Sequence, residues 1–283
     1  MERMRDQSTT IPELQRVLDG IGRVAVAVSG GVDSMTLAVA AQRRLGARTS
    51  MLHAVSPAVP PEATALVRAY AARDGWQLEV FDAGEFADPD YLRNPANRCY
   101  FCKTNLYAAM AARTDATLVS GTNLDDLGDY RPGLQAATEH RVRHPYVEAG
   151  IDKAAVRALA QSMGLQDIAA LPAAPCLSSR LETGIGVTPE RLRLVHAVER
   201  LVKQQLAPPT VRCRLFHDGI AVQLDPASLA TIEAPAGAVL RGAIADLLAA
   251  RGERAALRFE PYRMGSAFRH PAAHQSGGAA HGG

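Results

Sequence analysis

The stretch Val24-Ala25-Val26-Ala27-Val28-Ser29-Gly30-Gly31-Val32-Asp33-Ser34 decides the fold. Small apolar residues, valine at every second place, run into a Ser-Gly-Gly turn. The apolar residues Met35, Leu37, Ala38, Val39, Ala40 and Ala41, ending at Leu45-Gly46, predict a helix closed by a glycine cap. Glycines without a Cβ let backbone N–H groups approach a polyanion, and a helix start adds unpaired donors and the positive end of its dipole. Phosphate is the guest this arrangement suits. The lysine that ends a Walker A loop is missing, so kinase or GTPase chemistry has no anchor here.

Working outward, a helix is expected over Ile11 to Leu18, with Thr9 or Thr10 as cap and Pro12 in its first turn. Strands are expected at Arg48 to Val55, Trp76 to Phe81 and Ala116 to Ser120, with a helix from Glu62 to Asp74. This alternation predicts an α/β fold, a doubly wound parallel sheet binding its ligand at the C-terminal strand edges. The loop after the last of these strands, Gly121-Thr122-Asn123-Leu124-Asp125-Asp126-Leu127-Gly128-Asp129-Tyr130-Arg131-Pro132-Gly133, reaches the same edge. Its three aspartates suit Mg²⁺ held through carboxylates and water, or a solvated helix-capping turn. The glycine loop on the same edge favours nucleotide and metal contacts. An amphipathic helix from Asp152 to Met163 and a Pro-broken loop, Leu171 to Arg180, close a first domain at residues 1–184. Residues 185–270 read as a smaller α+β domain. It has a helix from Pro189 to Gln205, strands at Thr210 to Phe216 and Ile220 to Asp225, a helix near Ala238 to Arg251 and a strand from Arg254 to Phe259. The Ala, His and Gly-rich residues 271–283 have nothing to bury and are expected to be disordered.

The chain has 283 residues, 47% of them hydrophobic, enough for a sizeable core. A net charge of +2 from 31 basic and 29 acidic residues gives no polyanion-binding field, so a nucleic-acid partner is not expected. No apolar run approaches the roughly 18 residues of a membrane span, and the charged N-terminus leads into no signal segment. A cytoplasmic protein without membrane partners is expected. Four cysteines, two of them in Cys99-Tyr100-Phe101-Cys102, fit a reducing compartment.

A Cys-x-x-Cys ahead of a helix at Leu106 to Ala112 is open among zinc, iron–sulfur, redox and simple core roles. Cys176, in its Pro-flanked loop, supplies a candidate third thiol. Cys213 alternates with Arg212 and Arg214 in a strand, so it shares a face with Val211 and Leu215 and reads as a core residue. Were it a ligand, the four thiols would make a structural zinc site. Three thiolates instead suit a [4Fe-4S] cluster with one iron open to an exogenous ligand.

Ser29-Gly30-Gly31-Val32-Asp33-Ser34 resembles the PP-loop of the ATP pyrophosphatase superfamily. With it stand Asn94-Pro95, Arg98-Cys99-Tyr100-x-Cys102-Lys103, the Gly121 to Gly133 loop, Cys176-Leu177-Ser178-Ser179-Arg180 and Tyr262-Arg263-Met264-Gly265-Ser266. Together they resemble the LarE family over residues 20 to about 265. These are ATP-dependent sulfur transferases that make the nickel-pincer nucleotide cofactor of lactate racemase. The resemblance implies that a carboxylate of pyridinium-3,5-biscarboxylic acid mononucleotide is adenylated by ATP with Mg²⁺, releasing pyrophosphate, and is then attacked by sulfur. In one type of member a cysteine matching Cys176 sacrifices its own sulfur. In the other, which this chain resembles through its Cys-x-x-Cys, three thiolates hold a [4Fe-4S] cluster that carries the sulfide.

On that resemblance Cys99, Cys102 and Cys176 are the cluster ligands. Ser29, Gly30, Gly31, Asp33 and Ser34, with Gly121 and Thr122, bind the nucleotide, and Asp33, Asp125 or Asp126 lies near Mg²⁺. Lys103 suits the charge of departing pyrophosphate. Arg212 and Arg214 share a strand face and suit a substrate carboxylate or phosphate, or form an exposed basic face. The resemblance also implies a trimer-based hexamer. Competing readings are a tRNA thiolase, which the charge balance disfavours, and a nucleotide sensor with a structural zinc.

Overall fold

The computed structural model describes residues 7–128, 132–173 and 175–269. Among these, β1 (Val24–Ala27), β2 (Thr49–Ala54), β3 (Gln77–Phe81) and β4 (Thr117–Val119) form a parallel sheet in the order β3-β2-β1-β4. The order reverses beside β1, so the crevice between the ends of β1 and β4 is the topological switch point where such sheets bind ligands.

The alternation in β1 explains how both sheet faces are covered. Val24 and Val26 enter one core with Leu14 and Leu18 of the helix Gln7–Ile21, Met35 and Val39 of the helix Val32–Leu45, and Val156 and Leu159 of the helix Lys153–Ser162. Ala25 faces the opposite core, with Tyr107 and Met110 of the helix Arg98–Ala111 and Ala136 and Ala137 of the helix Pro132–Glu139. Small residues in β1 let helices close in from both sides.

A second sheet holds β5 (Val211–Phe216), β6 (Gly219–Leu224) and β7 (Leu257–Pro261), with β5 and β6 antiparallel and β7 parallel to β6. The helices Pro189–Leu206, Pro226–Glu233 and Ala238–Ala249 contribute Val195, Val198, Ile232 and Ile244 to its core. Leu177, Leu181 and Tyr91 enter this core as well, and Phe101 and Cys102 pack against it. The two cysteine-bearing segments therefore meet against the second sheet.

Two expectations change. The first helix starts at Gln7, which puts Thr9 and Thr10 inside it and Pro12 beyond its first turn, where the missing N–H removes one helix bond. Cys99 and Cys102 are the second and fifth residues of the helix Arg98–Ala111 instead of lying ahead of it. Asp129, Tyr130 and Arg131 of the aspartate loop and the tail at 271–283 lie outside the described residues. No helix among the described residues is long and apolar enough to cross a membrane.

Candidate functional site

At the end of β1 the chain turns at Gly30 with φ 84°. A Cβ there would stand 2.9 Å from the Ala63 Cβ and 3.0 Å from its carbonyl oxygen, so glycine serves both the turn and the approach of the helix Pro61–Asp74. Ser34 fastens the loop, its Oγ accepting from the Ser29 N–H at 3.0 Å and donating to the Gly31 carbonyl at 3.2 Å. Gly31 is the N-cap of the helix Val32–Leu45, and no side chain caps that end. The first-turn N–H groups are thus left for an anion. Buried His53 binds the Val28 carbonyl (2.7 Å) and Thr64 Oγ1 (2.9 Å), joining the strand end to the next helix. Burial lowers its pKa, so the ring is neutral.

Gly121 brings the loop after β4 against this turn: a Cβ there would stand 2.8 Å from Ser34 N. Thr122 Oγ1 shares a hydrogen bond with Ser120 Oγ at 3.0 Å, and Ser120 Oγ binds His144 Nδ1 at 2.9 Å. Asn123 and Asp126 form a capping box around the turn Leu124–Leu127, so the Asp126 carboxylate accepts the Asn123 N–H at 3.0 Å. That is the capping role, not an open metal ligand. Lys153, which the sequence reading missed, sits between the other two aspartates. Its ammonium pairs with Asp33 Oδ2 at 2.5 Å, and its backbone N–H donates to Asp125 Oδ2 at 3.2 Å. Asn123 Nδ2 donates to Asp33 Oδ1 at 3.3 Å. Asp33 and Asp125 are thus engaged by Lys153 and by an amide donor in this arrangement. Lys153 stands in a helix first turn capped by Asp152, where a cation opposes the dipole. That misplacement is the sequence signal that was available.

The second half of the site gathers the thiols. Spaced three apart on a helix, Cys99 and Cys102 share a face. Cys176 is exposed and lies just before Leu177, whose N–H donates to the carbonyl of Ala58, in the connection after β2, at 2.9 Å. The three thiols feel one another. Burial, together with the charges of Cys176, Glu85 and Cys99, pushes the Cys102 thiol up to about 12, although Lys103 opposes this. Burial also works against the Lys103 ammonium, but Tyr107 and the thiols of Cys102, Cys99 and Cys176 prevail and raise its pKa. Gly133 packs against Lys103, where a Cβ would stand 3.0 Å from Cγ. Among the described residues no group of three or more His, Cys, Asp or Glu that could hold a metal ion is found. Cys213 is fully buried, its pKa raised by burial and Glu199, and it belongs to the second core.

Around the thiols, polar atoms are left over. Arg98 Nη2 and Glu85 Oε2 are buried with no hydrogen-bond partner. Arg98 and Glu85 are themselves 2% and 5% exposed. Buried polar groups rarely stay unpaired, so a concentration of them beside three thiols marks a place shaped for a polar guest.

Arginines hold the Cys176 segment through its carbonyls. Arg157 donates to Ala169 O and to Leu171 O (2.9 Å), Arg212 to Ala173 O (2.6 Å) and Arg180 to Pro175 O (2.7 Å) and Cys176 O (3.2 Å). Arg98 donates to Ser178 O (2.9 Å) and Arg214 to Ser179 O (3.1 Å). Arg212 and Arg214 are therefore no exposed basic face: both are buried, and burial, then Arg180, lowers their pKa. Arg180 is in turn paired with buried Glu199 (Nε to Oε1, 2.8 Å).

A parallel α/β sheet with an uncapped glycine loop at its switch point is consistent with a PP-loop domain, the class to which fold and site point. No family model matches the chain. It is 37% identical to the uncharacterized protein slr1717 of Synechocystis sp. over 76% of this chain and 81% of that protein. It is 29% identical to the pyridinium-3,5-bisthiocarboxylic acid mononucleotide synthase of Lactiplantibacillus plantarum, over 80% and 83%. A further relative, MJ0830 of Methanocaldococcus jannaschii, is 24% identical over 72% and 78%. The chain belongs to the family of slr1717, a LarE-like family.

Proposed function

We propose that the protein is an ATP-dependent sulfur transferase that converts carboxylates of pyridinium-3,5-biscarboxylic acid mononucleotide to thiocarboxylates in nickel-pincer cofactor synthesis. The observation that carries this reading is the pairing of a phosphate-type glycine loop with thiols from two segments, Cys99 and Cys102 on one helix and Cys176 beside Leu177, that meet at the second core. The likeness to the Lactiplantibacillus synthase supports the substrate.

In this reading the N–H groups of the loop, with Ser29, Gly30, Gly31, Asp33 and Ser34, take the triphosphate, and Gly121 and Thr122 close over it. Lys153 leaves Asp33 to neutralise phosphate charge. A substrate carboxylate oxygen attacks the α-phosphorus, the α–β bridging P–O bond breaks and pyrophosphate departs. Lys103 lies on the thiol side and offsets anionic charge there. Sulfur then attacks the acyl carbon, the C–O bond to AMP breaks and a thiocarboxylate remains. A [4Fe-4S] cluster held by Cys99, Cys102 and Cys176 would supply that sulfur as sulfide. The leftover Arg98 and Glu85 atoms fit a polar guest at these thiols. Magnesium enters no step here. Arg212 and Arg214, already bound to carbonyls, shape the substrate wall by fixing the Cys176 segment. We further place the protein in the cytoplasm as a homo-oligomer.

The test is iron, zinc and acid-labile sulfide per chain after anaerobic purification. About four iron and four or five sulfide support the cluster route. The visible spectrum should vanish in Cys99→Ala, Cys102→Ala and Cys176→Ala and persist in Cys213→Ala. One zinc per chain refutes that route, and metal-free active protein returns the sulfur to Cys176 itself.

A further inference from the structure

We propose that Arg98 is the hydrogen-bond donor for a sulfur anion carried at the three-thiol pocket. This rests on the sulfur-transfer reading but asks for a specific residue. Arg98 is 2% exposed, an unusual place for a guanidinium. Its Nη1 is committed, donating to Ser178 O at 2.9 Å and to Asn94 Oδ1. Asn94 is pinned in turn, its Nδ2 donating to Glu182 O at 2.8 Å and to Ile185 O at 2.9 Å, so the guanidinium plane has little freedom. Nη2 is left buried and unpartnered.

An arginine held this firmly with one donor unused is costly unless something accepts from it. The neighbouring acceptors identify the class of guest. Arg98 opens the helix Arg98–Ala111 directly before Cys99 and one turn before Cys102, and its bond to Ser178 O holds the segment of Cys176 against it. Beside the thiols stand the hydroxyl of Tyr91, which shares a hydrogen bond of 2.7 Å with Ser178 Oγ, the Phe268 ring, 5.7 Å from the Arg98 guanidinium carbon, and buried Glu85. None of the three cysteines is an oxygen acid. A phosphate or carboxylate would find more donors at the glycine loop, whereas a soft anion beside thiols is a hydrosulfide or a persulfide. Exposed Cys176 gives that anion its way in from solvent. A flat guanidinium is weakly hydrated and suits a large, polarisable anion better than an ammonium does.

Both sources of the sulfur anion are tested. In the first arm, wild type, Arg98→Lys and Arg98→Gln are purified anaerobically with equal iron per chain and titrated with sodium sulfide, read by visible absorption. Arg98→Gln should bind sulfide at least about tenfold more weakly, the worth of one charge-assisted bond, and Arg98→Lys should fall between. In the second arm, metal-free protein is treated with polysulfide, which passes one sulfane sulfur to the Cys176 thiolate and leaves one sulfur shorter. The resulting persulfide is located by mass spectrometry, and its removal by cyanide, which releases thiocyanate and the thiolate, is timed. Loss should be faster by a similar factor in Arg98→Gln, and guanidinium ion added to Arg98→Ala should slow it. Unchanged sulfide affinity in iron-matched proteins together with unchanged cyanide kinetics overturns the proposal. Wild type without iron refutes the cluster and leaves Arg98 to be judged by the persulfide arm. If Arg98→Gln does not fold, the same comparisons are decided by Arg98→Lys, which keeps a buried cation.

Discussion

Replacing Glu199 should separate holding the fold from holding Cys176. Glu199 and Arg180 are each about 4% exposed at the side chain, joined by bonds of 2.8 Å and 3.0 Å. Glu199 Oε1 also accepts the Cys213 N–H at 3.0 Å. Glu199→Ala strands a buried guanidinium and leaves a strand N–H without its acceptor, a loss of about 3–5 kcal/mol for breaking a buried pair from one side. Glu199→Gln keeps one carbonyl oxygen and should lose less. The double variant Arg180→Met/Glu199→Leu removes both charges and should regain most of the stability. It does not restore the donors to Pro175 O and Cys176 O. Urea unfolding reads the first effect. Iodoacetamide alkylation of Cys176 and limited proteolysis within residues 171–176 read the second. The reasoning is refuted if Glu199→Ala stays within about 1 kcal/mol of wild type, or if the double variant is stable and its Cys176 is alkylated, and residues 171–176 cleaved, at wild-type rates.

Lys153→Met should weaken ATP binding by roughly tenfold to a hundredfold, the range of a bond to a charged group, measured by calorimetry and by ATP–pyrophosphate exchange. Gly121→Ala would drive a Cβ to 2.8 Å from Ser34 N, so it should lower the melting temperature and abolish exchange while leaving the thiols titratable. His53 and His144 both have pKa values lowered by burial from 6.5. Both stay neutral in the fold while the unfolded chain takes up protons, so stability is full above about pH 7 and falls as pH drops through about 6.5. The slope is at most about 1.4 kcal/mol per pH unit for each histidine. His53→Gln should flatten a urea midpoint measured from pH 5 to 8, and a midpoint that does not move with pH contradicts the burial argument.

The strand, glycine loop and helix at residues 24–45 were legible because local period and glycine placement specify them without long-range help. The Cys-x-x-Cys helix was not, since Cys, Tyr and Phe are weak helix formers. The helix Arg98–Ala111 owes its start to packing against the helix Pro132–Glu139 and the second core. Lys153 escaped because its partner Asp33 lies 120 residues away. Glu199 left a trace that can be read: it falls on the same stripe as Leu192, Val195, Val198 and Val202, where an acid must be buried and therefore paired.

Arg212 and Arg214 show why a strand's polar face can mislead. Alternation with Val211, Cys213 and Leu215 shows which residues share a face, but whether that face meets water depends on what covers it. Here the cover is the Cys176 segment. Among its described residues it has no regular structure apart from the short turn Leu177–Arg180, and its carbonyls need donors if they are to leave water. Arginine supplies them in pairs, with a planar fork that stays charged when buried. The same requirement explains why Arg157, Arg180, Arg98 and β5 converge on residues 169–179 from separate elements. An irregular loop able to present an exposed thiol, yet fixed to the second sheet and to two helices by guanidinium-to-carbonyl bonds, keeps its cysteine in place where a flexible loop would let it swing. On the proposed sulfur-transfer reading, the activated substrate must then come to the thiol, which would make the second sheet part of the reacting site.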